Sequence, residues 1–172
     1  MLEIDWSTVF DVTAPEMPGA DESAMEIFIA ASLAPFTELE LDELAADVAQ
    51  LATPDKGYPE SYLSFLRWSN GGSYVNGERH FDFFSTGDVR DFLLGYRIPV
   101  HLPGTMPFAF DGGANFYLFD MRHEMNEGEF PIVFAPSCGM SWDKEAYSVA
   151  DSFLGVCRGR TDIAVDLWSS SG

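Results

Sequence analysis

The sequence predicts an α+β domain, and three observations carry that prediction. Apolar stripes at helical spacing occupy residues 37–68. From Gly72 onward the period changes to two, with turn signals between short aromatic runs. A helix-forming stretch follows the strands, and the regular β-α alternation of a doubly wound nucleotide-binding fold is missing.

Each element has its own local reason. Residues 1–20 carry Pro15, Pro18 and Gly19 without periodicity and read as an extension or loosely packed arm. "ESAMEIFIAASLA", residues 22–34, fits either a short helix before Pro35 or a strand at 25–30. Thr37 and Glu40 form a capping box, whose side chains satisfy the first free N–H groups of a helix. Leu41, Leu44, Ala45, Val48, Leu51 and Ala52 then make one apolar stripe, and the helix should stop before Pro54. A second helix starts at Pro59, where a missing N–H costs nothing, with Glu60 at the positive end of its dipole. Tyr62, Phe65 and Leu66 share a face, and Asn70 or Gly71 supplies the left-handed residue that ends the helix.

Asn76-Gly77 between extended runs predicts a hairpin with a type I′ turn. Ser85 and Asp88 open a short helix bearing Val89, Phe92, Leu93 and Tyr96. Pro99, Pro103 and Pro107 suggest an extended connection. Strands are expected at "MPFAFD" and "NFYLFDM", joined by Gly112-Gly113, and at "EFPIVFA". A last helix is expected from Ser148, with Val149, Phe153, Val156 and Cys157 inward.

At 172 residues the chain suits one domain with a sizeable core, and its 15% aromatic content argues against disorder. Its charge is far from balanced: 9 basic residues stand against 28 acidic ones, a net −19. Residues 1–55 hold 13 acids and no base. Such a chain repels nucleic acid and anionic lipid, because phosphate binding needs Lys and Arg. It attracts a basic partner, or its acids simply keep it soluble. Cys138 and Cys157 make no disulfide framework. "MLEIDW" has no positive leader region, and the longest apolar stretch, Ile27–Phe36, falls short of the ~18–20 residues of a membrane span. A cytoplasmic location with reduced thiols is expected.

Candidate chemistry is sparse. A phosphate-cradling glycine loop precedes a helix, whereas Asn70-Gly71-Gly72 follows one, at its negative end, and reads as a helix stop. Asp111 and Asp120, with His123, could ligate calcium or magnesium, but their spacing matches no EF-hand and Gly112-Gly113 is explained by a turn. Ser137, Cys138 and Ser141 are possible nucleophiles and His80, His101 and His123 possible bases, with no nucleophile-elbow motif around them. Glu124, Glu127 and Glu129 form an acidic loop, either plain solvated surface or a docking patch for arginine and lysine.

"YPESYLSFLRWSNGG", residues 58–72, resembles the SUKH superfamily of the SMI/KNR cell-wall-regulator type through Pro59, Tyr62, Phe65, Leu66, Asn70, Gly71 and Gly72. "VHLPGTMPFAFDGGANFYLFDMR" is similar to the family's loop and central hairpin, "FPIVF" to its following strand and "VADSF" to its closing helix. The resemblance covers residues 37–158, leaving 1–36 as an acidic extension, 37–160 as the domain and 161–172 as a tail. It implies a twisted, mostly antiparallel sheet packed by helices. It also implies a binder: bacterial members are largely immunity proteins that neutralise polymorphic toxins, often nucleases, and fungal members are signalling or scaffold proteins. No catalytic residue, cofactor or metal carries over.

The expectation is therefore a non-catalytic immunity-type protein whose partner is a basic toxin domain, with no nucleic acid or membrane involved. Its expected contact residues are the acids Asp82, Asp88, Asp91, Glu124, Glu127, Glu129, Asp143 and Glu145. The alternatives are a regulatory or scaffold module and a hydrolase with a site near Asp111 and His123.

Overall fold

Asp5 accepts a hydrogen bond from the Ser7 N–H and so caps a one-turn helix, α1 (Trp6–Val9). That turn buries Trp6 and Val9, and Phe10 follows them into the interior. The protein is described by a computed structural model over residues 3–12, 14–44, 57–143 and 146–169. In chain order come α2 (Glu22–Ser32), α3 (Glu38–Leu44), α4 (Glu60–Trp68), β1 (Gly72–Asn76), β2 (Arg79–Phe83), α5 (Val89–Gly95) and α6 (Ile98–His101). β3 (Thr105–Phe110), β4 (Asn115–Asp120), β5 (Ile132–Pro136), β6 (Tyr147–Ala150), α7 (Phe153–Arg158) and α8 (Ile163–Ser169) complete it. The fold is α+β, as expected.

The strands form one six-stranded antiparallel meander in the order β1-β2-β3-β4-β5-β6. Pairing register puts Tyr74, Phe81, Phe83, Tyr117, Phe119 and Phe134 on one face. A bulge between Pro107 and Ala109 turns Phe108 to the same side, where its ring lies 4.6 Å from Phe119 and 5.2 Å from Phe153. α1, α4 and α7 cover this face, with Trp6 packed edge-on against Phe65 at 5.4 Å and Phe153 at 5.6 Å. The opposite face carries Phe110 and Phe116, covered by Phe92 and Tyr96 of the α5 segment at 5.4 and 4.9 Å. The central strands are thus buried on both faces, which explains their nearly unbroken apolar sequences.

The structure revises several local expectations. The described residues of 3–20, read as an extension or loosely packed arm, and those of 21–36 are packed against the domain: Trp6, Val9, Phe10, Ala20, Met25 and Phe28 belong to the same core as the sheet. Backbone bonds from Asp11 N to Val75 O, from Ala20 N to Leu66 O and from Asn70 N to Pro18 O stitch the segment to β1 and α4. Residues 22–32 are helical, with Asp21 capping them by accepting from the Ala24 N–H. Ile163 of α8 is also buried in the core, inside the stretch read as a tail.

The Thr37–Glu40 capping box forms reciprocally: Thr37 N donates to Glu40 Oε1 at 2.9 Å and Glu40 N to Thr37 Oγ1 at 3.1 Å. Ala45, Val48, Leu51, Ala52 and Pro54 lie outside the described residues. Pro59 is the residue before the first turn of α4 rather than within it. The β1–β2 loop is Gly77-Glu78, one residue later than expected, because Asn76 pairs with Arg79. Positive φ occurs at Gly77 but not at Glu78, the pattern of a II′ rather than a I′ turn. Pro99 sits in the first turn of α6, where its missing N–H is harmless, and Pro107 lies within β3, so the proline-rich stretch is not simply extended. Residues 147–150 are a strand, and the last predicted helix begins only after Ser152, which accepts from Gly155 N.

Ser69-Asn70-Gly71-Gly72 has a structural job. The Asn70 side chain brackets Thr86, accepting from its N–H at 2.8 Å and donating to its hydroxyl at 3.2 Å. At Gly71 φ is +87°, and a Cβ there would stand 2.9 Å from Phe83 O and Ser85 N. The glycine lets the chain leaving α4 pass against the β2–α5 loop.

Candidate partner-binding surface

Antiparallel register gathers one set of loops at one end of the sheet. Thr105 pairs with Asp120, Phe119 with Ile132 and Ile132 with Ala150. The loops at 102–104, 121–131 and 151–152 therefore share an end, joined by the β2–α5 loop through Phe84 N and Phe108 O. This end collects Asp88, Glu124, Glu127 and Asp151, all exposed. Asp143 starts from the opposite end, but neighbouring Trp142 reaches back to it. The indole Nε1 donates to Pro103 O at 3.2 Å, and the Arg122 guanidinium lies 3.5 Å from the indole ring centre. Asp91 is exposed one turn into α5.

Asp88 accepts from Ser85 Oγ at 3.0 Å while staying exposed, whereas Glu129 and Asp82 are half-buried. Glu129 is half-buried: its Oε1 accepts from Ser61 Oγ at 2.5 Å and its Oε2 from Phe153 N at 3.3 Å. It ties the β4–β5 loop to α4 and α7, so its carboxylate is a brace rather than open surface. Asp82 is half-buried on β2, where one oxygen accepts from Ser73 Oγ and lies 3.0 Å from His80 Nε2. It sits on the sheet instead of among the acidic loops. Glu145 lies outside the described residues.

Around Glu127 and Glu129 the surface is concave. A cleft of about 540 Å³ is lined by Asn126, Glu127, Glu129, Pro131, Asp151 and Leu154. A tight turn shapes its rim: Asn126 and Glu129 exchange backbone hydrogen bonds across Glu127, at φ +53°, and Gly128. Sequence reasoning missed Asp151, although the residue stands in the middle of "VADSF". Only the register of β5 with β6 brings it beside the 126–129 turn.

Six of the seven described arginines are tied to groups of their own chain, while Arg158 stands exposed in the last turn of α7. Arg90 forks onto Glu40, and Arg67 pairs with Glu22 and Glu60 at 3.0 and 2.6 Å. Arg79 donates to Val156 O and Thr161 O, and Arg97 donates to Leu44 O. Arg160 holds Asn76 and Asp11, and Arg122 grips Asp120. Partial burial pushes the Asp120 carboxyl up, but the hydrogen bonds and charge of Arg122 together hold it below the usual carboxylate range. Several of these arginines serve carbonyls, so they fasten the fold without neutralising acids. Both lysines, Lys56 and Lys144, lie outside the described residues.

The groups considered for chemistry are dispersed. Asp111 accepts from Gly113 N, Asn115 N and Asn115 Nδ2, which closes the β3–β4 turn. Asp120 stands at the far end of that hairpin, paired with Thr105. His123 follows Asp120 there, so the hairpin's length separates Asp111 from both. Among the described residues no group of three His, Cys, Asp or Glu is placed to hold a metal ion. Burial pushes the Cys157 thiol well above its ordinary range, away from nucleophilic use, while Cys138 is exposed. No helix among the described residues is long and apolar enough to cross a membrane.

The model of the SMI1/KNR4 family (SUKH-1) matches residues 55–155, more than half of the 172-residue chain. The chain belongs to the SUKH-1 family. Comparison with the curated proteins returned no match. The SUKH-1 segment contains α4, all six strands and the start of α7, and with them the acidic loop end. α1, α2 and α3 lie before it, although α1 and α2 share its core.

Proposed function

We infer that this SUKH-1 protein is a non-catalytic binding protein of the immunity type, which sequesters a basic toxin domain. One observation carries the reading: six of the seven described arginines are engaged within their own chain, so carboxylates dominate what a partner meets. Asp88, Asp91, Glu124, Glu127 and Asp143 supply the attraction, and the cleft beside Asp151 receives a lysine or arginine side chain. A nuclease-type toxin, basic around its nucleic-acid groove, suits a surface that imitates phosphate charge. Steric cover of that groove then excludes its substrate. A partner steered in this way associates at up to ~10⁸–10⁹ M⁻¹s⁻¹ at low salt. The non-catalytic part of the reading is supported by the occupied state of Asp111 and its distance from His123.

The test is co-expression with a basic toxin domain encoded beside this protein. Survival of the cells, and a complex whose association rate falls steeply with salt, are expected. Cell death despite soluble protein, with no complex at low salt, overturns the reading for that toxin. A turnover lost on mutating Asp111 and His123, with folding intact, would replace it with a hydrolase.

A further inference from the structure

A second concave surface lies between α2 and the start of α5, next to the β2–α5 loop. Ala24, Ile27, Phe28 and Ala31 recur on one side of α2, facing Gly87 and Asp91 across a cleft of about 430 Å³. The cleft exists because its walls are built from small residues; Ala24, Ala31 and Gly87 have no side chain long enough to fill it. Phe28 and Ser32 form a fixed floor, with Tyr58 donating to Ser32 Oγ at 2.8 Å. Ile27 stands at the rim with 67% of its surface exposed. That is a large apolar side chain left in water beside an apolar hollow.

The electrostatics choose the occupant. Arg90, the cation in the cleft, is consumed: Glu40 grips it and the carbonyls of Ala31, Ser32 and Ala34 accept from it. Asp91 lines the cleft and Asp88 lies one turn before it, both exposed. A second copy of this chain, also at −19, would bring like charge to the rim. An anionic lipid surface is repelled for the same reason. We propose that the α2–α5 cleft docks a protein partner that inserts a large apolar side chain flanked by lysine or arginine. The proposal rests on the reading of the chain as a binder of a basic protein, and adds a second contact to the acidic loops.

The probe is a 14-residue amphipathic peptide of leucine and lysine, titrated into the full chain at low salt and followed by amide NMR shifts. Controls replace its lysines with glutamate or its leucines with serine. Shifts that the leucine–lysine peptide causes and the serine peptide does not are expected at residues 24–31 and 86–91, with no binding of the glutamate peptide. The serine peptide should bind about tenfold more weakly or worse, because burying one leucine-sized group accounts for at least that factor. Ala31→Trp and Gly87→Trp fill the cleft and weaken the leucine–lysine peptide by a similar factor. Ala31 is exposed, and the nearest atom to a Cβ at Gly87 is Ser85 Oγ at 3.9 Å, so both variants fold. Leucine-dependent shifts that fall outside residues 24–31 and 86–91, equal binding of the serine peptide, or a dimer that Ala31→Trp dissociates would each overturn the proposal. If the peptide binds here and no toxin is neutralised, the toxin reading fails alone. If a toxin is neutralised equally well by Gly87→Trp, the cleft fails alone.

Discussion

Arg90 and Glu40 meet fork to fork, Nη2 on Oε1 at 2.8 Å and Nε on Oε2 at 3.0 Å. The same guanidinium closes the C-terminal carbonyls of α2, so one side chain joins α2, α3 and α5. The Arg90 hydrogen bonds, against opposing desolvation, pull the Glu40 pKa from 4.5 to about 2. A carboxylate depressed in the folded state contributes stability above its unfolded pKa and loses it as pH falls through the folded one. Glu40→Gln should therefore flatten the stability loss between pH 4.5 and about 2, and cost about 1–2 kcal/mol at neutral pH after allowance for solvent screening. Arg90→Lys, which cannot fork, should give a similar loss. Urea titrations across that pH range read both.

Trp6→Ala removes an indole that is 1% exposed and whose Nε1 donates to Ser64 Oγ at 3.0 Å. A loss of about 3–5 kcal/mol is expected from chemical denaturation. A surface-sized loss, below about 0.5 kcal/mol, would mean that the N-terminal helix does not belong to the core.

Tyr62→Phe should stabilise the protein. The Tyr62 hydroxyl is fully buried among Phe28, Phe108, Phe119 and Phe153 and has no hydrogen-bond partner among the described residues. Removing an unsatisfied buried hydroxyl while keeping the ring should gain about 1 kcal/mol, visible as a raised Tm.

Gly71→Ala should cost about 1–3 kcal/mol, since its φ of +87° and the 2.9 Å approach of Phe83 O both exclude a methyl group. Asn70→Ala, which cuts both bonds to Thr86, should cost about 1–2 kcal/mol. If Asn70-Gly71-Gly72 served a partner instead, these variants would lose binding and keep stability.

Reversing Glu124, Glu127 and Asp143 to lysine should slow association with a basic toxin by about tenfold or more at low salt and leave dissociation nearly unchanged. The difference should vanish in high salt, which stopped-flow mixing at two ionic strengths measures. Glu129→Gln should act differently, lowering stability through Ser61 and Phe153 N.

The fold was largely legible because its elements carry local signals that agree with their surroundings. The Thr37 box, the α4 face and the aromatic alternation of β2 to β5 read directly. The N-terminal helix was not legible: residues 1–20 read as an arm without periodicity, because four helical residues among acids and prolines are too short a window to register. "YSVA" was misread because it lies against "DSF", and strand or helix there depends on pairing with β5. The surface was less legible. Separating an acid that braces, such as Glu129, from one that faces solvent, such as Glu127, depends on partners 24 and 68 positions away in the chain.

The stitching of residues 6–11 to residues 153–160 has a kinetic consequence. Asp11 and Arg160, 149 positions apart, contact each other beside Gly77, and Trp6 waits for Phe153. During synthesis the N-terminal helix leaves the ribosome long before its packing surface exists. The domain must therefore mature late, in one cooperative step dominated by distant contacts, and slowly for its size. A chain that stops short of α7 should therefore show no cooperative unfolding transition, since Trp6 and Phe65 would lack Phe153.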